Sequence, residues 1–428
     1  MVIEKNIKNN QLKIINNQLI RTAPLLLLII LGGCKARQLT RPTPQMDIGP
    51  QFWVRVLLLN NVTTCTLKIA SSFSVISHDP RAPGIRNYPK QVNVPLKIEI
   101  SGGRITIAGT PLTSSEAIIF PGDPYIFNLN GDDYRGKLKL QIGPDGSSFD
   151  AVNLVPLEPY LAGVVGAEMP DYWEPEALRA QAVAARTYCL YIKERFGSNR
   201  AWDVRKTQAS QVYLGVRAES AQVWNAVSRT YGRVLVCKHS DGTEDIFPTY
   251  YSSICGGHTE DSKYVFGGDS FEALVGRSCP YCKDVAKPRF FFWPMVQFDK
   301  SYVTAKLSQR YSKLKQLGKI TNIIAARQSN YGNFSRVTLV KLVGSTGKSD
   351  SLRAEDFRLT IDPSGRKLQS TIYQIVDKGD KWAFLSGTGY GHGVGMCQCG
   401  AQAMAREGKT AEQILSYYYR SSRIETVY

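Results

Sequence analysis

Leu157-Glu158-Pro159-Tyr160-Leu161-Ala162-Gly163-Val164-Val165-Gly166-Ala167-Glu168-Met169-Pro170 is the stretch on which the organisation of this chain turns. Its apolar positions 157, 160, 161, 164 and 165 recur at helical spacing and form one stripe. Pro170 lacks an amide hydrogen and its ring would clash with the preceding turn, so the helix is expected to stop just before it. Carried on in its own register, the stripe next reaches Glu168. A carboxyl group is thereby aimed at the interior from the last turn of a helix. Burial favours the neutral form of a carboxyl, which is the state a general acid needs near neutral pH. A helix-end glutamate can also swing out to solvent or cap a neighbour, and position alone does not choose.

Downstream, Pro175 suits a first helical turn, and the alanine-rich run Ala177-Leu178-Arg179-Ala180-Gln181-Ala182-Val183-Ala184-Ala185 has high helix propensity. A second helix is expected from Pro175 to about Phe196, closed by Gly197. Upstream, residues 51–150 read as β-rich with no helix. Phe52 to Leu59 starts as a strand, while Leu96–Ile100 and Lys137–Ile142 alternate with period two between Gly and Pro punctuation. Leu385–Gly400 is glycine-rich and irregular, and the chain ends in a helical stretch through Tyr417-Tyr418-Tyr419.

Length and composition bound the rest. The chain has 428 residues, 43% hydrophobic and 21% charged, so it can bury a real core and holds two or three domains. Its net charge of +17 draws polyanions in general. The basic residues are scattered, however, and no nucleic-acid motif accompanies them. At the N-terminus Lys5, Lys8, Lys13 and Arg21 precede an apolar run from Ala23 to Leu31, then Leu31-Gly32-Gly33-Cys34. That is the layout of a secretory signal, with a run too short for the roughly 20 apolar residues of a membrane-spanning helix. Its ending resembles the bacterial lipoprotein signal, in which the cysteine, here Cys34, becomes the acylated first residue. The expectation is an exported protein, lipid-anchored to a membrane and facing the cell wall or periplasm. Residues 1–33 are its signal and 34–50 a tether rich in Pro, Thr, Arg and Gln. Cys34 as a chance residue in a plain signal is the alternative.

Nine cysteines gain meaning from export, since some can then pair as disulfides. Cys255-Gly256-Gly257-His258 and Cys279-Pro280-Tyr281-Cys282 are two pairs, each with two residues between. This is the spacing of a four-coordinate structural zinc site with three thiolates and one imidazole. One disulfide with the third cysteine free is the competing reading.

The stretch 157–170 resembles the core motif of the stage II sporulation protein D family. Glu176-Ala177-Leu178-Arg179-Ala180-Gln181-Ala182-Val183-Ala184-Ala185-Arg186-Thr187-Tyr188 is similar to its second block, and Ser386-Gly387-Thr388-Gly389-Tyr390-Gly391-His392-Gly393-Val394-Gly395-Met396 to its late block. The resemblance implies an α+β fold, helices packed on antiparallel strands over residues 151–428, with the β-rich portion at 51–150 less well covered. It implies a lytic transglycosylase cutting peptidoglycan glycan strands, with or without peptides, between N-acetylmuramic acid and N-acetylglucosamine. Glu168 would be its acid, 1,6-anhydro ends its product, and wall remodelling in division or sporulation its setting. Some members carry metal at the matching Cys/His block, which follows a segment like Tyr250-Tyr251-Ser252-Ser253. Gln181, Arg186, Tyr251, Ser252, His392 and Gln398 are the candidates to contact glycan. Arg186 could instead make a structural ion pair. This chain departs from the family at Cys397 and Cys399, which flank Gln398 where Ser and Tyr are common. These two could add metal ligands, pair with Cys189 or Cys237, or be neutral drift.

Hydrolysis would need a second carboxylate. Glu158, ten residues along a helix, would lie about 15 Å from Glu168, too far for either hydrolytic geometry, whereas Glu174 and Glu176 stay open. A different class of function is a non-catalytic peptidoglycan-binding lipoprotein that activates a partner amidase, as some relatives do. Binding of nucleic acid has no motif behind it.

Overall fold

The alternation of apolar and polar side chains before residue 157 is realised as two sheets in the computed structural model, which describes residues 52–77, 84–90, 94–239, 242–332 and 335–428. The expected signal, Cys34 and the tether lie outside these residues. One sheet runs in the order Val204–Arg205, Trp53–Val62, Phe149–Pro156, Lys137–Ile142, Glu116–Pro121, Phe73–Ser77, Gly84–Tyr88. The other runs Asp132–Arg135, Ile126–Leu129, Thr64–Lys68, Leu96–Ser101, Arg104–Ile107, Thr110–Pro111. Period two does here what it should: Leu138 and Leu140 are fully buried between the more exposed Lys137 and Lys139. Pairing is antiparallel throughout both sheets except at Val204–Arg205, which lies parallel to Trp53–Val62.

Helix α1, Leu157–Glu168, follows the last long strand directly. Residues 157 to 165 are all buried, so α1 is enclosed on every side over most of its length. Such enclosure needs small residues where backbone meets backbone. A Cβ at Gly166 would lie 1.9 Å from the carbonyl oxygen of Ala218. Helix α2, Pro175–Phe196, packs on α1 through Ala177 to Cys189 and ends on Gly197, as its sequence suggests.

Hydrophobic cores divide elsewhere than at residue 150. One core runs from Val54 in the first sheet through α1 and α2 to Tyr419. A second gathers residues between Trp293 and Phe384: the strands Ile320–Asn330, Ser335–Gly344 and Ser349–Arg353, the helices Lys300–Arg310 and Ala354–Ile361, and the strand Lys381–Leu385. This second lobe is inserted between the Cys279–Cys282 turn and the late glycine-rich block. The buried Arg336 ties it back, donating from Nη2 to the Cys255 carbonyl at 2.7 Å and from Nη1 to the His392 carbonyl at 3.5 Å.

Gly166→Ala tests how closely α1 is seated. Alanine raises helix propensity by roughly 1 kcal/mol over glycine, so an exposed site would be stabilised. Here the clash with a backbone carbonyl is expected to cost about 1–3 kcal/mol net, read as a lower thermal midpoint; an unchanged or higher midpoint would show that α1 does not rest on Ala218.

Candidate catalytic cleft and cysteine cluster

Glu168 is the last residue of α1, where the helix leaves the core, and it opens onto a cleft of about 290 Å³. Tyr251 and Ser252 from a short strand line the same cleft, as do His392 from the late block and Gln398 from the start of helix Gln398–Arg406. The strands Tyr251–Ser252 and Met396–Cys397 run side by side in parallel, which places two distant sequence segments together beneath the site. Gly395 makes that approach possible. Its φ is +71°, and a Cβ there would sit 1.9 Å from the carbonyl oxygen of Tyr250.

The Glu168 carboxylate accepts the Val212 amide hydrogen bond at 2.9 Å and a side-chain hydrogen bond from Gln398. Burial pushes its pKa up, and these two neutral donors pull it down. Burial wins, so Glu168 holds its proton above the ordinary carboxyl range. Beneath it, the Tyr160 hydroxyl donates to Gln211 at 3.0 Å, and the Gln211 amide donates to the Tyr251 hydroxyl at 2.9 Å. Burial and the nearby Glu168 carboxyl hold the Tyr251 phenol well above its usual range, so it stays neutral.

His392 is not a free acid or base. Its Nδ1 accepts the Val394 amide at 3.0 Å, and a hydrogen bond to the Tyr251 backbone engages the ring as well. Burial lowers its pKa to about 4, so the ring is neutral at physiological pH. Gln181 is fully buried behind Gln398 and accepts its amide at 3.4 Å; it supports the cleft without lining it. Arg186 also departs from the substrate role expected of it. Its guanidinium is completely buried, bidentate to Glu158 at 2.7 and 2.8 Å, and bonded to the Arg233 carbonyl at 3.1 Å, while the Tyr428 hydroxyl reaches the same Glu158. This is the structural ion pair.

Opposite Glu168, the inserted lobe supplies residues that the sequence did not single out. Glu355, Arg358, Leu359, Ser364 and Gly365 line that wall. Arg358 holds Glu355 in a two-point pair at 2.5 and 2.9 Å and also donates to the Leu368 carbonyl at 2.9 Å. Burial alone would raise the Glu355 pKa, but the charge and hydrogen bonds of Arg358 outweigh it and keep the carboxylate below the ordinary range. The i,i+3 spacing of Glu355 and Arg358 was readable as a helical ion pair; nothing local announced that it faces the cleft. Glu174 and Glu176 are not in the lining: the Glu174 amide is held by Gln402, and Glu176 bonds Arg179 and the Ala411 amide.

Four buried cysteines lie behind the cleft floor. The sulfurs of Cys255, Cys279, Cys282 and Cys397 fall within 4.8 Å of one another, and all four are free thiols. Cys255 and Cys282 are 3.7 Å apart, close to the roughly 3.8 Å edge of a tetrahedron with metal–sulfur bonds of about 2.3 Å. The Cys255 amide donates to the Cys397 sulfur at 3.3 Å, and the Tyr418 hydroxyl lies 3.1 Å from the Cys279 sulfur. The expected ligand His258 is not in the cluster. Its ring stacks on Tyr331 at 3.5 Å, and its Nδ1 lies 2.6 Å from its neighbour's carbonyl at Thr259. The two turns picked out by spacing do converge, and the fourth sulfur comes from 142 positions beyond Cys255. Cys397 thus joins the metal-type cluster, whereas Cys399, Cys189 and Cys237 are buried free thiols outside it. Four sulfurs with no water-accessible corner fit a closed structural ion and not a catalytic one.

Residues 145–237 match the family model for stage II sporulation protein, a span holding α1, Glu168 and α2. The chain is 34% identical over 293 residues to an uncharacterized protein of Brachyspira hyodysenteriae, covering 68% of this chain and 72% of that one. It is 31% identical over 296 residues to stage II sporulation protein D of Bacillus subtilis, covering 64% of this chain and 76% of that one. A protein of the same organism named amidase enhancer is 28% identical over 362 residues, and the matched region is 48% of its length. With its helical core, its cleft and these relatives agreeing, the chain belongs to the stage II sporulation protein D family.

Proposed function

We propose that the protein is a lytic transglycosylase of peptidoglycan glycan strands, with Glu168 as its single acid and base. The observation that carries this reading is a carboxyl group that lines a cleft, its pKa raised by burial and its hydrogen-bonding neighbours neutral. Glu168 would pass its proton to the glycosidic oxygen as the bond from that oxygen to the muramyl C1 breaks. Positive charge grows at C1. The muramyl 6-hydroxyl oxygen then bonds C1, and its proton returns to the Glu168 carboxylate. The products are a free 4-hydroxyl and a 1,6-anhydro ring, so no water is consumed and no second carboxylate must activate one. Glu355, tied to Arg358, supplies fixed charge on the facing wall and no titrating proton. The Val212 amide and Gln398, backed by Gln181, hold Glu168 in place before substrate arrives, which is the kind of preorganisation that lowers barriers.

Zinc is the ion we propose for the four-cysteine cluster, with Cys255, Cys279, Cys282 and Cys397 as thiolate ligands. Bound there, it would tie the segment after the Tyr251–Ser252 strand to the Met396–Cys397 strand, next to Gln398. Export and acylation at Cys34 remain part of the proposal, supported by the N-terminal sequence pattern. The relative named amidase enhancer supports a partner amidase acting on the same wall.

Incubation of the protein with peptide-free glycan should yield anhydro-muramyl ends by mass spectrometry, and Glu168→Gln should lower the rate by about 10²–10⁴-fold or more. Reducing ends bearing a water oxygen would replace this reaction with hydrolysis. Stability gives a second check. A raised folded pKa means the benefit of protonated Glu168 is complete below its ordinary value of 4.5 and is lost as pH rises through the folded value. Glu168→Gln should therefore gain thermal stability relative to the parent as pH climbs above 4.5; a constant difference from acid to neutral pH would mean an unperturbed carboxyl. For the metal, Cys397→Ser should lose zinc by elemental mass spectrometry and melt lower, while His258→Ala should retain it. The opposite pattern would restore the histidine as ligand.

A further inference from the structure

A second cavity of about 180 Å³ abuts the cleft, and Tyr250 and Phe266 belong to the linings of both. Their rings lie 4.4 Å apart, centroid to centroid. Beyond them Tyr191 and Phe271 meet edge to face at 6.4 Å and extend the aromatic wall. Ser262 also lines this cavity. It is only 3% exposed, and its hydroxyl oxygen has no hydrogen-bond partner within the protein. A buried hydroxyl left unpaired is uncommon and calls for a partner from outside. At the rim stands Arg195, half exposed, with its guanidinium 3.0 Å from the Tyr191 hydroxyl and 3.5 Å from Asp269.

Aromatic rings below, one unsatisfied hydroxyl within and a cation at the edge match a pyranose ring, which has an apolar C–H face and a polar rim. From these groups we infer an accessory subsite for one further N-acetylhexosamine of the strand that Glu168 engages. The inference rests on the glycan reading of the cleft, and it makes the protein a reader of chain length: an oligomer that reaches past Tyr250 and Phe266 gains contacts that a short one cannot make. Ser262 would take a hydroxyl or acetamido group of that sugar, and Tyr191 would carry its face.

Binding tests this without requiring cleavage. The full-length chain carrying Glu168→Gln is titrated with chitotriose and with chitohexaose, and the hexamer is expected to bind more tightly. Adding Tyr191→Ala should weaken the hexamer by about tenfold, as loss of an aromatic anchor does, and leave the trimer unchanged. Ser262→Ala, a minimal change that preserves the fold, should weaken the hexamer by a smaller factor, also without effect on the trimer. Equal loss for both lengths, no loss for either, or no binding of any oligomer overturns the subsite. The two readings separate: length-dependent binding by a chain that forms no anhydro ends keeps the subsite and removes the reaction, whereas cleavage with Tyr191→Ala binding both oligomers like its parent does the reverse.

Discussion

A helix buried on every side must settle the charge of each carboxylate it carries, and α1 does so in two different ways. Near its start, Glu158 is gripped at two points by the buried guanidinium of Arg186. At its end, Glu168 meets only neutral donors, the Val212 amide and Gln398. Neutral donors do not repay the loss of water, so the Glu168 pKa stays above the ordinary carboxyl range. A cation beside Glu168 would pull its pKa back down, whereas removing Arg186 would leave an uncompensated charge in the core. The difference between the two carboxyl groups thus rests on where one arginine sits.

The same logic recurs across the cleft. Glu355 is more enclosed than Glu168, yet Arg358 keeps its carboxylate below the ordinary range. Two carboxyl groups line one cavity with their pKa values pushed in opposite directions by burial in one case and by Arg358 in the other. The site is assembled from segments with no sequence proximity: the end of α1, the Val212 loop, the Tyr251 strand, the late block and the inserted lobe. Gly395, the parallel pairing of Tyr251–Ser252 with Met396–Cys397, Arg336 and the cysteine cluster bind these segments to each other. Cys397 and Gln398 are adjacent residues, so whatever fixes the cluster also fixes a hydrogen-bond partner of Glu168.

Residue patterns carried much of this. Period-two alternation found Lys137–Ile142 and the alanine-rich run found α2 with its ends, whereas α1 is buried all round and not along one stripe, with Glu168 at its end on the cleft. These succeed because burial acts locally on each element: a side chain's direction follows from its position in a strand or a turn of helix. Local spacing failed where a partner came from afar. Cys-x-x-His reads as a ligand pair, but the His258 ring stacks on Tyr331, and the fourth sulfur in the cluster is that of Cys397. The family resemblance implied Arg186 and His392 as glycan contacts; packing gives Arg186 to an ion pair, while His392 lines the cleft as a neutral ring.

From the residues alone came the kind of elements, the family likeness and the one carboxyl group to watch, since each is written in short-range periodicity and ordered motifs. Tertiary structure decided which charges are paired, which sulfurs converge and what stands opposite Glu168. Those outcomes depend on distances between segments far apart in the chain, and electrostatics and coordination are set by distance through space.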